Sequence, residues 1–427
     1  MKKIIVLLVC LSLGNFAGLR AANDQKNKVK YEKKYTDPVL KAMDEAREKE
    51  QKLADEETQT IKKRQETEKG ARKLLERTLQ SDMTGVYPPP APTSFKSFFH
   101  FPPVAQYNTN TCWSFANTSF YESEIYRLSG KKIKLAEMWT VYHEYLEKVR
   151  RFVKERGASL VAEGGEGNAL NRIWKTYGIV PEAAFPGIKM AEQKHDHVRL
   201  IHEVNAYLDY VKANSFWDEQ AVLAHVAVIL NKHLGVPPQK FVFNGREMTP
   251  KEFLKNETSL NMDDYLDVMS TSYFPFYTFQ EFMVPDNWWH SKDYLNLPLD
   301  EWYGLIVKAV KAGYTVGIGG DVSEPGKLGF NDVCFIPSFD IPQQYINQDA
   351  REYRIDNKTT DDDHGIHLVG YTRYKGQDWF LIKDSGRSAR WGKFEGYYFF
   401  RSDYIKLKML TYTVHKDILK NILAKMK

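Results

Sequence analysis

Apolar and polar positions follow two different periods along this chain. Between residues 112 and 312 the apolar residues recur three and four positions apart, and this spacing predicts helices over 112–127, 137–156, 167–177, 250–256 and 299–312. Helical patterning also dominates 191–234. Beyond that, short alternating or continuous apolar runs between turn residues predict strands at 314–318, 366–373, 379–383 and 397–400. Helices first and strands last is an α+β pattern.

The first 92 residues read differently. Half of the residues in 23–80 are charged, and their apolar positions (Val39, Leu40, Met43, Leu53, Ile61, Leu74, Leu75 and Leu79) are too sparse for a core. The segment is expected to be a solvated helix or partly disordered arm, serving as a surface extension, a pro-segment or an assembly arm. Tyr87-Pro88-Pro89-Pro90-Ala91-Pro92 then reads as a Pro-rich linker closing a 23–92 arm, with the folded region expected over 93–427.

Charge narrows the field. The net +5 comes from the two leading segments, because 1–22 and 23–80 each carry +3 while 81–427 carries −1. The folded region therefore offers no basic surface, which speaks against nucleic acid as a partner. Met1-Lys2-Lys3 before the apolar run Ile4–Leu11 has the form of an export signal over 1–22, with small residues for cleavage after Ala21 or Ala22. The run is shorter than the ~20 residues of a membrane span, so no integral span is expected after cleavage. A periplasmic or secreted location is the expectation. Cleavage leaves two cysteines, Cys112 and Cys334. A thiol kept in an oxidising compartment asks for a reason.

Cys112 stands where a polar, turn-prone loop, Gln106-Tyr107-Asn108-Thr109-Asn110-Thr111, enters a helix. Free N–H groups at a helix N-terminus favour a thiolate, the nucleophilic form of cysteine. Far downstream, Asp363-His364-Gly365-Ile366-His367 opens one strand and Lys383-Asp384-Ser385-Gly386 ends the next. Adjacent strands of this kind can set a carboxylate beside an imidazole, which then takes the thiol proton.

These motifs, in this order, resemble the papain-like cysteine peptidases of the bleomycin hydrolase or aminopeptidase C branch. The likeness rests on Gln106 six residues before Cys112-Trp113, on Glu163-Gly164-Gly165, and on Tyr177-Gly178-Ile179-Val180-Pro181-Glu182. It continues through Val316-Gly317-Ile318-Gly319-Gly320 to the histidine strand, and covers roughly residues 95–412. The resemblance implies a papain-like fold with an antiparallel sheet or barrel as its C-terminal half and a helical insertion at about 188–300. It implies Cys112 as nucleophile, His364 as base and later acid, Asp384 as third residue and Gln106 as oxyanion donor. Gly164, Gly165, Trp113 and Asp363 would bind substrate. Peptides are the implied substrates, through a thioester acyl-enzyme and with aminopeptidase action preferred. No metal or cofactor is implied, and homo-oligomers occur in the branch. Endopeptidase action, another amide hydrolysis, or an inactive peptide-binding role are the alternatives.

The sequence departs from the branch at three places. Asp384 replaces an asparagine. Gly386 replaces a shielding tryptophan, unless Trp391 folds back over the pair. The branch's terminal arm, which fills its cleft, is not recognisable in the Lys-rich segment 415–427.

Other motifs invite simpler readings. His195, His197 and His202 do not share one helix face, so a metal site is not expected there. Asp361-Asp362-Asp363 reads as a polar loop lining the cleft. Trp288, Trp289 and Trp302 read as core and cleft wall, Cys334 as a buried thiol, and His367 as a packed neighbour on the opposite strand face.

Overall fold

The computed structural model describes residues 27–189 and 194–426; the expected export signal lies outside them. The chain divides into two units, parted between Arg77 and Thr78.

The first unit contains one long helix, α1 (Pro38–Leu75), started by the Asp37 side chain, which accepts from the Val39 N–H at 2.8 Å, and by Pro38 in the first turn. None of its residues is buried, as its charge-rich composition requires.

The second unit carries the rest. Its helices are α2 (Cys112–Ser129), α3 (Glu137–Lys154), α4 (Ala169–Tyr177), α5 (Val198–Ala213), α6 (Glu219–Leu234), α7 (Pro250–Glu257), α8 (Leu299–Ala312), α9 (Gln348–Asp356), α10 (Ser402–Lys408) and α11 (Lys416–Lys425). Its strands are β1 (Lys96–Ser97), β2 (Phe241–Phe243), β3 (Arg246–Met248), β4 (Tyr265–Met269), β5 (Thr278–Gln280), β6 (Tyr294–Asn296), β7 (Val316–Gly320), β8 (Lys327–Leu328), β9 (Val333–Cys334), β10 (His364–Tyr374), β11 (Gln377–Lys383), β12 (Tyr397–Arg401) and β13 (Met409–His415). One sheet runs β5-β6-β4-β13-β7-β10-β11-β12-β9-β8, with β1 added on β10, while β2 and β3 form a separate hairpin. The centre is antiparallel, as expected, but β4–β6 and β12–β9 are parallel pairs.

Two apolar cores divide the unit. The helical half surrounds Phe120, Tyr121, Trp139, Trp174 and Val226. The sheet half buries Ile318, Leu368, Phe380 and Phe400 under α8, α10 and α11. The amphipathic C-terminal segment belongs to this second core, for Ile418, Leu419 and Ile422 of α11 are buried. Helix α2 joins the halves by lying against β10 and β7, so the seam between them opens beside Cys112.

Two expectations need correction. The Pro-rich segment does not part the units: Val86 and Pro89 are buried and the Ser81 N–H donates to the Pro325 carbonyl at 2.9 Å, so it packs on the sheet half. The stretch 188–300 is not purely helical either. It contributes β4, β5 and β6 to the main sheet, and two of these strands are only three residues long, too short to show a period of two. Among the described residues, no helix is long and apolar enough to cross a membrane.

Candidate active site

Cys112 is the first residue of α2, and its thiol is free and partly exposed. Thr111 precedes it without a side-chain cap, so the open end of the helix faces the seam. His364 begins β10 beside Gly320 of β7. Asp384 follows the last residue of β11, where His367 pairs with Lys383. That register brings the residues after Lys383 alongside His364, and His364 Nε2 lies 2.7 Å from Asp384 Oδ1.

Electrostatics follow from this geometry. Burial alone would discharge His364, but the Asp384 carboxylate and the Cys112 sulfur, each through charge and hydrogen bonding, push its pKa up to about 10. Burial would likewise raise Asp384. The His364 charge and hydrogen bond, with the Gly386 N–H at 2.7 Å, instead hold it well below the usual carboxylate range. At neutral pH His364 is therefore an imidazolium paired with the Asp384 carboxylate.

Gln106 is buried and fixed from both ends. Its Nε2 donates to the Thr109 carbonyl and its Oε1 accepts from the Ser385 hydroxyl, each at 2.7 Å, while its backbone N–H donates to the Ser385 carbonyl at 3.0 Å. Ser385, not singled out from the sequence, is thus the residue that orients Gln106; its position directly after Asp384 was the available signal. Trp391 does not fold over the pair. It is 45% exposed and stacks on Phe330 with centroids 5.5 Å apart. The Gly386 backbone covers the pair instead, and a Cβ there would lie 3.0 Å from Asp384 Oδ1 and 3.2 Å from His364 Nε2.

A cavity of about 350 Å³ opens at Cys112 and His364, lined also by Gln106, Trp113, Gly164, Gly165 and Asp363. The Trp113 indole N–H donates to the Glu163 carbonyl at 3.0 Å, and a Cβ on Gly165 would come within 2.9 Å of the same ring. At Gly164 a Cβ would collide with the Asp286 carboxylate. Both glycines are therefore required by their neighbours within the protein. Beneath them the buried Lys148 ammonium donates to the carbonyls of Ala162, at 2.7 Å, and Gly164. Asp363 spends one oxygen on the Val322 N–H at 2.9 Å and the other on the Ser323 hydroxyl, which ties the loop before β10 to the end of β7.

The remaining motifs take other places. His367 is buried on the far face of β10, with Nδ1 2.9 Å from the Ser119 hydroxyl of α2. Burial and the Lys383 charge keep it neutral. Cys334 is fully buried, and burial pushes its thiol up. Trp288 donates to Glu144 at 2.6 Å and Trp302 sits in the sheet-side core. Among the described residues no group of three or more His, Cys, Asp or Glu is arranged to hold a metal ion.

A cysteine at a helix start, a strand-borne histidine and a carboxylate, split across a seam between a helical half and a sheet, have the geometry that the papain-like resemblance implied. A family model described as the Peptidase C1-like family matches residues 42–427.

The chain belongs to that family.

Members with named activities are distant. Aminopeptidase C of Lactococcus lactis subsp. cremoris is 24% identical over 56% of this chain and 64% of its own length. Aminopeptidase C of Lactobacillus helveticus is 23% identical over 76% of this chain and 81% of its own. The chain thus spans slightly under two thirds of the first of these relatives. The crystal structure of PepW from Lactobacillus rhamnosis HN001 superposes with a TM-score of 0.62 at 20% identity, covering 82% of this chain and 87% of that one. That likeness supports the papain-like α+β fold of this Peptidase C1-like protein.

Proposed function

We propose that this protein is an exported cysteine peptidase that cleaves peptide bonds through a thioester acyl-enzyme, acting as an aminopeptidase. The observation that carries the reading is His364 held between Cys112 and Asp384, with its proton retained well above neutral pH. The Cys112 thiolate attacks the carbonyl carbon. The backbone N–H of Cys112 and the Gln106 amide receive the oxygen as it gains charge. His364 passes its proton to the departing amine, then takes one from the water that opens the thioester. Asp384 keeps the imidazole in place and stabilises its charged form. Gly164 and Gly165 guide the substrate backbone. Aminopeptidase action is taken from the relatives named Aminopeptidase C.

The test takes protein recovered outside the cytoplasm, whose intact mass reports cleavage after Ala21 or Ala22. A short peptide with a free amino terminus is expected to lose its first residue, its N-acetylated twin to be cut at least about tenfold more slowly, and Cys112→Ala to cut neither. A thiol-directed epoxide should label Cys112. Absence of both cleavage and labelling refutes the peptidase.

Ser385 gives a finer prediction. Ser385→Ala removes one of the two hydrogen bonds that fix the Gln106 amide and leaves the Thr109 carbonyl to hold it, so kcat should fall about three- to tenfold with KM nearly unchanged, a fraction of the loss seen when an oxyanion donor is removed outright. Ser385→Thr, which keeps the hydroxyl, should restore most of it. An equal change in KM and kcat would point to general disturbance of the loop.

A further inference from the structure

The cavity beyond Cys112 is acidic. Glu163, Glu166, Asp267, Asp286, Asp362 and Asp363 line it, and among the described residues no lysine or arginine does. Three of these carboxylates are already engaged. Glu163 accepts from Asn110 at 3.1 Å and lies 3.2 Å from His197, Asp363 holds the β7 end, and Asp286 faces the Lys148 charge. The other three reach the cavity from separate parts of the chain: Glu166 from the loop before α4, Asp362 from the turn before β10, and Asp267 from β4.

Their surroundings are unusual for structural carboxylates. Glu166 is only 4% exposed; its Oε1 makes no well-aligned hydrogen bond among the described residues, and its carboxyl group lies within hydrogen-bonding reach of the Tyr294 hydroxyl. Its carboxyl group shares a hydrogen bond with Asp362, so one proton serves two acids. Burial, with Asp362, Asp286 and Asp267 close by, raises Glu166 far above its ordinary range. Burial, with neighbouring carboxylates adding to it and the hydrogen bonds from Glu166 and Thr413 opposing it, takes Asp362 and Asp267 to about 7. Asp267 accepts one hydrogen bond, from Thr413 at 2.5 Å. Asn117, also lining the cavity, donates its Nδ2 to the Trp113 carbonyl at 3.0 Å and leaves its buried Oδ1 without a partner. Two of the unsatisfied atoms on this wall are acceptors, and buried acceptors without donors are costly; the third, the Tyr294 hydroxyl, accepts as well as donates. A bare metal ion is a poor complement, because no three of these groups converge on a point. A larger cation that donates several hydrogen bonds suits the arrangement.

We propose that Glu166, with Asp362, Asp267 and Asn117 around it, forms a subsite for a positively charged group of the substrate, an ammonium or a guanidinium. The proposal rests on the peptidase reading above: Glu166 follows Gly165 directly, so a peptide laid along Gly164 and Gly165 brings its next group to this carboxylate. Two sources fit the same chemistry. The cation is either the free amino terminus of a chain entered by one residue, or a basic side chain one residue further out.

Binding to the Cys112→Ala protein, measured by calorimetry, separates them. The probes are a leucyl dipeptide amide with a free amino terminus, its N-acetylated twin, and an N-acetylated arginyl dipeptide amide. One or both charged probes should bind about tenfold tighter or more than the neutral one, as a charge-assisted hydrogen bond allows. The charged probe that wins identifies the source. Glu166→Gln should reduce the advantage below about threefold, and Asp362→Asn should weaken it. Glu166→Gln keeps the size of the side chain and a donor for Asp362, so its melting temperature should stay close to that of the parent, which separates lost recognition from lost folding. A neutral probe that binds as tightly as both charged ones, or a ratio untouched by Glu166→Gln, overturns the subsite. The peptidase reading fails separately: no cleavage by the unsubstituted protein, with the charge preference intact, removes the chemistry and keeps the subsite. Cleavage of neutral blocked peptides as fast as charged ones does the reverse.

Discussion

His364→Ala is expected to lower kcat/KM for a cleaved peptide by about 10⁴-fold or more at neutral pH. In the proposed mechanism the imidazole carries two steps. It accepts the thiol proton, and its retained charge, with a pKa near 10, supplies the proton that lets the amine depart. Without it the amine would leave as an unprotonated anion, a step neither Gln106 nor the helix end can assist. Cys112→Ala should reach the same floor, and the double variant should fall no further, because the two side chains act as one unit. Rates on one fluorogenic peptide for the three variants check this. A single variant keeping more than about a hundredth of the parent activity contradicts the assigned roles.

Asp384→Ala comes next in size. His364 loses the carboxylate that raises it, and a buried imidazolium is left without its partner; kcat/KM at neutral pH should drop roughly 10²- to 10⁴-fold. The alkaline limb of the rate profile, set by His364 at about 10, should move more than about one unit toward acid. Stability changes with a definite sign. His364 lies above its ordinary 6.5, so its contribution is complete below pH 6.5 and is lost as the pH climbs from there through about 10. Asp384 lies below its ordinary 3.8, so its contribution is complete above that value and is lost on acidification through the depressed one. Removing the carboxylate should therefore cost about 3–5 kcal/mol near neutrality, and the melting temperature of the variant should depend less on pH between 6.5 and 10. Asp384→Asn, which keeps a hydrogen bond to His364, should shift the alkaline limb while losing far less rate.

What could be read from the sequence was what is local in it. Cys112 after a polar loop, and two strands joined by a short turn, are recorded in neighbouring residues. Strand alternation separates His364 from His367, and the second does turn toward Ser119 of α2. The antiparallel register then carries Asp384 to the imidazole. Contacts that depend on distant packing were hidden. Nothing near Asp267 or Asp286 announces that β4, or the loop before Trp288, will border Cys112's cavity. The sequence left open whether Trp391 folds back over the pair; Gly386 takes the space and the indole finds Phe330. The Pro-rich run looked like a boundary because prolines suit linkers, but Val86 just before it reaches an apolar patch on the sheet.

Lys148 gives the glycine pair a mechanical property. Its ammonium, out of reach of solvent, draws the Ala162 and Gly164 carbonyls inward from below, with Glu144 and Asp286 offsetting its charge. A rail bolted from underneath keeps its shape whether or not a guest lies on it. On the proposed function, a peptide meets a track that needs no straightening, and its entropic penalty on docking is confined to its own bonds.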